Sequence, residues 1–152
     1  MQPATTFFQF EADFVESLRC IPMQVRYKLD TCGVKLKLNH WHQLEATERQ
    51  VLVDSPCQTA QEIAEYRQVL QRLVRDRTGE IPKDLPVDEN PPWLGETVPE
   101  TVQEKARSLS IEIGENRWAA LTPLQRFTLL KLSRPSHENR NFYPALQEFG
   151  LV

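Results

Sequence analysis

Two of the chain's three histidines flank a tryptophan in LNHWHQL, residues 38–44, and its three cysteines are Cys20, Cys32 and Cys57. Imidazole and thiolate are the side chains that hold transition metals or attack electrophiles, so they are weighed first. His40 and His42 are one residue apart, which on a helix points their rings about 200° away from each other. Only an extended backbone would bring both to one face, and Trp41 leads a helical pattern. No Cys-x-x-Cys accompanies them, although closed zinc sites usually carry such spacing. Solvent-facing histidines and no metal site are therefore expected.

Cys57, in DSPCQTAQEI, stands just before a helix N-terminus, where the helix dipole and free N–H groups lower a thiol pKa. It is the leading candidate for a reactive thiol, and a small buried filler is the competing expectation. Cys32 before Gly33 and Cys20 before Ile21-Pro22 read as filler at helix ends and are the other thiol candidates. An odd number of cysteines at irregular spacing suits free thiols in a reducing cytoplasm better than a disulfide framework. Phe7, Phe8 and Phe10, with Phe14 close behind, are more aromatic surface than one amphipathic helix needs. They are candidates for core or for a partner-docking patch.

The elements that must position these residues read as helices. EADFVESLRC, from Glu11, has a helical pattern. Pro22 can open the helix PMQVRYKLDTC, and Gly33 fits the left-handed residue that ends it. VKLKL, from Val34, alternates and reads as extended. Thr47 is a plausible N-cap for TERQVLVD, which stops before Pro56. Thr59 caps the clearest helix, AQEIAEYRQVLQRLVRDRTG, whose Ile63, Tyr66, Leu70 and Leu73 form one apolar seam. Residues 80–98 hold Pro82, Pro86, Pro91 and Pro92 and read as a rigid connector.

The chain also matches itself at an offset of 77 residues. Pro22/Pro99, Val25/Val102, Lys28/Lys105, Asn39/Asn116, Trp41/Trp118, Leu44/Leu121, Arg49/Arg126 and Leu52/Leu129 are identical without a gap, and Tyr66 meets Tyr143. The expected fold is all-α, a single domain of two pseudo-repeated helical modules packed together, each with a short extended segment. Residues 1–79 would hold the N-terminal segment and first module, residues 80–98 the connector, and residues 99–152 the second module. Trp41 and Trp118 are then structural anchors. Asn39 and Asn116 read as N-caps, and Lys28, Lys105, Arg49 and Arg126 read as matched ion pairs or solvated basic residues. The histidines and cysteines have no counterparts in the second copy: His40 meets Arg117, His42 meets Ala119, Cys32 meets Leu109 and Cys57 meets Arg134.

The 152 residues suffice for a real core, with 40% hydrophobic and 26% charged residues. A net charge of −3 disfavours nucleic acid and an anionic membrane surface as partners. No apolar run spans a bilayer, and the first basic residue is Arg19, so no signal peptide is expected. A glycine-rich phosphate loop, G-x-S-x-G and H-E-x-x-H are all missing. No catalytic residue, cofactor or metal ligand is assigned, and the expectation is a non-enzyme of undetermined oligomeric state.

FEADFVESLRCIPMQVRYKLDTCGVKLKL, then Trp41, Glu48-Arg49 and PCQTAQEIAEYR from Pro56, resembles the nitrate reductase-associated proteins of nitrate-assimilating bacteria. The resemblance is carried mainly by the first copy and covers most of the chain. It implies a cytoplasmic accessory protein required for an active assimilatory nitrate reductase, a molybdenum-cofactor and iron–sulfur enzyme. The implied partner is the reductase apoprotein, and the implied role is assembly or maturation by protein–protein binding. A small thiol- or metal-carrying redox or regulatory protein using Cys20, Cys32 and Cys57 is the alternative.

Overall fold

The computed structural model describes residues 7–11, 18, 20–134 and 139–152. Among them the chain is mostly helical and divides into two compact units between Val87 and Asp88. Unit 1 contains α1 (Met23–Cys32), α2 (Leu38–Gln43), α3 (Ala46–Asp54) and α4 (Ala60–Thr78). It also contains an antiparallel ribbon of β1 (Val34–Lys35) and β2 (Lys83–Asp84). Unit 2 contains α5 (Glu100–Ser108), α6 (Glu115–Ala120), α7 (Pro123–Ser133) and α8 (Phe142–Glu148), preceded by a 3-10 turn at Pro92–Leu94. Most of EADFVESLRC, and Phe14 with it, lies outside the described residues.

Local chemistry explains the boundaries of the long elements. Thr59 Oγ1 accepts the Glu62 N–H at 3.1 Å while Glu62 returns its carboxylate to the Thr59 N–H at 3.1 Å, so α4 opens on a capping box. It ends at Gly79, with φ +77°. Along α4 the side chains of Tyr66, Leu70 and Val74 are buried, with Ile63 and Leu73 packed beside them. Thr47 is not the cap of α3: the helix starts at Ala46, and Glu48 closes its first turn by accepting the Glu45 N–H at 2.8 Å. Asn39 and Asn116 are not caps either. They lie one residue inside α2 and α6, whose caps are Lys37 and Gly114.

A buried carboxylate opens α1. Glu11, 1% exposed, accepts the N–H of Met23 at 3.2 Å, where the positive end of the helix dipole favours a negative charge. Its other oxygen accepts the Phe8 N–H at 3.2 Å.

The proline-rich stretch 80–98 is shared between the units. β2 pairs with β1, setting Val34 opposite Asp84 and Lys35 opposite Lys83, and the Leu85 N–H continues the ladder to Gly33 O at 2.8 Å. Further on, Trp93 meets Phe127 edge-on at 5.0 Å inside unit 2. The segment therefore supplies a strand to one unit and a packing residue to the other. IEI, from Ile111, which lies 77 residues after VKL, forms no strand.

Several features recur at the 77-residue offset. α2 and α6 have matching bounds, and Trp41 and Trp118 are both fully buried. Gly33 and Ser110 both take left-handed backbone, with φ +77° and +62°. Tyr66 and Tyr143 do not correspond, being buried and exposed respectively.

Replacing either buried indole removes a large core side chain, so Trp41→Ala and Trp118→Ala should each cost about 3–5 kcal/mol in urea unfolding. Near-zero costs at both would contradict the packing described. The left-handed pair should respond with opposite signs. A Cβ at Gly33 would meet Val87 Cγ2 at 2.7 Å and Leu85 O at 3.0 Å. Gly33→Ala should thus lose more than about 1 kcal/mol, whereas Ser110→Gly should gain about 0.5–1 kcal/mol by relieving the left-handed strain. Equal signs in chemical denaturation would refute this.

Candidate functional site

Two of the three cysteines border a polar cluster at the C-terminal end of α3. A helix leaves its last four carbonyls without intrahelical partners, and here the neighbouring helices supply them. Lys28 Nζ on α1 donates to Val53 O at 2.7 Å and to Ser55 O at 2.6 Å. Gln24 Nε2 donates to Val53 O at 3.3 Å, and Tyr66 OH on α4 donates to Leu52 O at 2.7 Å. The Lys28 ammonium also lies 5.5 Å from the Tyr66 ring centroid. Burial lowers the Lys28 pKa, against the pull of Cys57 and Asp54. Lys28 is therefore neither a solvated basic residue nor an ion-pair partner but a helix cap.

Lys105, its offset partner, is half-buried on α5, and its side chain makes no hydrogen bond or ion pair among the described residues. The difference follows from Pro56, which stops α3 at Asp54. Ser133 stands at the matching position, α7 runs on, and Ser133 Oγ takes Leu130 O at 2.7 Å.

Cys57 and Cys32 border this cluster. Cys57 Sγ lies 3.9 Å from Lys28 O and Cys32 Sγ lies 3.8 Å from Leu29 O, each thiol donating to a carbonyl of α1. Burial pushes the Cys57 thiol up to about 12, with Cys32 adding to the rise and Lys28 opposing it. Burial likewise pushes Cys32 up to about 11. The position before α4 was expected to lower the Cys57 pKa. Desolvation outweighs that effect, so both thiols stay protonated at neutral pH. Burial also holds the Tyr66 phenol well above its usual range. Cys20 is half-buried. Among the described residues no three His, Cys, Asp or Glu side chains converge in a metal-holding group.

His40 is not solvent-facing: its side chain is buried, with a residual exposure of 2%. Its Nδ1 accepts the Lys37 N–H at 3.4 Å, which leaves the proton on Nε2, and Nε2 meets Glu80 Oε1 at 2.9 Å. Both nitrogens are committed, so the ring ties α2 to Glu80, just past the Gly79 cap of α4. The bond to His40, and the charge of Lys37, hold the Glu80 carboxyl below its usual range. Arg117, at the matching position, ties α6 to Leu151 O at 3.3 Å. His42 is exposed.

Arg49 and Arg126 form matched forks rather than ion pairs. Arg49 donates Nε to Trp41 O at 3.0 Å, Nη2 to His42 O at 2.8 Å and Nη1 to Leu18 O at 3.3 Å. Arg126 donates to Trp118 O at 3.0 Å, Ala119 O at 2.9 Å and Trp93 O at 3.1 Å. The indoles follow the same plan, Trp41 Nε1 reaching Leu18 O at 2.7 Å and Trp118 Nε1 reaching Gly95 O at 3.3 Å. Arg67, which drew no attention in the sequence, caps α1 through Cys32 O and Gly33 O and pairs with Asp84 of β2. Arginines in helical seams beside buried positions are the signal that would have found these caps.

The N-terminal phenylalanines turn inward. Phe8 is buried, Phe7 packs against the unit 1 core, and half-buried Phe10 stacks on Phe8 at 5.5 Å. In unit 2 the loop from Glu89 to Glu100 wraps a cleft of about 560 Å³ walled by Pro91, Pro92, Leu94 and Val98.

Unit 1 is thus a helical scaffold in which Lys28, Gln24, Tyr66, Arg49 and Arg67 are spent on its own helix ends. Residues 7–149 match the family model of the conserved nitrate reductase-associated proteins, and the chain belongs to that family. No curated protein and no solved structure matches the chain.

Raised thiol pKa values make alkaline stability a readout of the cluster. Folded Cys57 and Cys32 keep their protons up to about 12 and about 11, whereas exposed thiols lose theirs near 9.0. Between those values the folded state binds more protons, so stability is complete below pH 9 and falls as pH rises through this window. Lys28, shifted downwards, opposes the slope, and Tyr66, shifted upwards, adds to it. Urea midpoints between pH 8 and 11 should therefore decline, and less steeply in Cys57→Ala; an unchanged slope would contradict the burial of this thiol.

Proposed function

We propose that the protein is a non-catalytic accessory factor for assimilatory nitrate reductase, acting in the cytoplasm. It would bind the reductase apoprotein during assembly or maturation. Family membership over residues 7–149, spanning both units, carries this reading. The disposition of the motif residues supports it. Lys28, Arg49, Cys57, Thr59 and Tyr66 lie in the stretches that resemble the family, and their polar groups turn onto backbone of unit 1. These motifs describe how the module is built, which leaves its outer faces to meet a partner. No helix among the described residues is long and apolar enough to cross a membrane. We also infer that the two units are copies of one module, from the offset identities and the matched arginine forks.

Co-purification with the reductase and cofactor analysis of reductase made without this protein test the proposal. The expected result is retention of the apoprotein, and a reductase poor in molybdenum cofactor or iron–sulfur cluster when the factor is missing. Full cofactor occupancy without the factor would remove maturation in favour of regulation or electron delivery. Stoichiometric metal on the freshly purified factor would favour a metal carrier instead.

A further inference from the structure

The ribbon of unit 1 carries a charge arrangement that the fold itself does not use. Lys35 and Lys83 stand directly opposite each other across the two strands. Like charges so placed weaken a ribbon. Both are exposed, and beyond the backbone ladder neither side chain has a hydrogen bond or ion pair among the described residues. Asp84 pairs with Arg67, and Glu80 pairs with His40 while also feeling the charge of Lys37. Lys37, also exposed, follows Lys35 by two residues and therefore projects on the same side of an extended chain. Val34 and Pro82 are buried beneath, on the inward side.

Apolar residues surround the lysines. Ile81 is 63% exposed, Val87 56% and Leu38 49%. Each lies within three residues of a ribbon strand, and Val87 Cγ2 sits over Gly33 at the start of β1. In unit 2, Glu112 stands where Lys35 would be, Gly114 replaces Lys37, and no strand forms. The basic ribbon therefore belongs to the first unit alone, within a chain of net charge −3.

We propose that the outward face of this ribbon, Lys35, Lys37 and Lys83 with Ile81, docks an acidic segment of a protein partner that also carries apolar side chains. Three lysines complement carboxylates, and the flanking apolar residues select a polypeptide over a phosphate backbone. A two-stranded ribbon also leaves a backbone edge beside each strand, which an extended segment can join. The assignment rests on the reading above that the protein acts by binding another protein, and names the surface and the partner's chemistry.

The first test is titration of the whole isotopically labelled protein with an acidic peptide that alternates glutamate with leucine and valine. Amide shifts should concentrate at 34–37 and 81–84, weaken with added salt, and lose about tenfold in affinity in Lys35→Glu/Lys83→Glu. Lys83→Glu alone sets opposite charges across the ribbon. It should stay folded by circular dichroism and still bind several-fold more weakly, so a folding defect in the double variant leaves the test intact. Shifts elsewhere, equal affinity in the variants, or equally tight salt-dependent binding of a DNA duplex would overturn the proposal. The second test is retention of the reductase apoprotein. If the variants retain it as well as the unaltered protein does, the ribbon is not its docking surface. If the unaltered protein fails to retain it while the peptide results hold, the reductase reading falls and the ribbon stands.

Discussion

The structure depends on what happens to carbonyls at the ends of short helices. A helix of six to eleven residues has few internal hydrogen bonds and four orphan carbonyls, so its ends dominate its energetics. This chain answers with side chains from elements next to the helix. Lys28, Gln24 and Tyr66 close α3, Arg49 closes α2, Arg67 closes α1, and Arg126 closes α6. Most of these groups are cationic, so they also complement the negative end of the dipole they face. Each cap is at the same time a tertiary contact. Helix ending and helix packing are a single interaction here, which explains why Lys28, Arg49 and Tyr66 of the family-like stretches point inward.

Unit 2 follows the plan with different chemistry. Gln103 exchanges two hydrogen bonds with Ile113, at 2.8 Å to its carbonyl and 3.4 Å from its N–H, imitating a strand neighbour where unit 1 has a real one. Arg117 reaches a backbone carbonyl where His40 reaches a carboxylate. The tryptophan and arginine at the centre are kept, while the outer fastenings vary. That division sets the charged ribbon of unit 1 apart, because it is not needed to hold the shared arrangement together.

Much of the helical layout was legible because its signals are local. Thr59, Gly79 and Gly33 act on backbone within a few residues, and each stands where its chemistry suggested. The first strand of the ribbon was legible in the alternation of VKLKL, but its partner was not. The second strand is two residues long, lies between Pro82 and Pro86, and has no periodicity to read. The burial of His40 was not legible because its partner Glu80 lies forty residues away. For Cys57 the sequence left a reactive thiol and a buried filler both open, and the desolvation that decides for the filler is created only by the tertiary fold. Arg49 and Arg126 were recognised as a matched pair, but their acceptors are backbone carbonyls, which leave no mark in a sequence. The same limit explains Lys28 and Lys105: identical letters at matched positions part company because Pro56 shortens one helix.

The closing of unit 1 by β2 also has a consequence for synthesis of the chain. Gly33, Val34 and Lys35 emerge from the ribosome long before their partners at 83–85, so the ribbon is the last piece of the first unit to form. Until then the end of β1 lacks its neighbour and Arg67 lacks Asp84. Once Val87 has emerged, the strand pairing and the Arg67–Asp84 pair of unit 1 have both their halves, while unit 2 is still being translated. The proline-rich stretch thus acts as a timing element, whose arrival marks the point at which the ribbon of the first half can close.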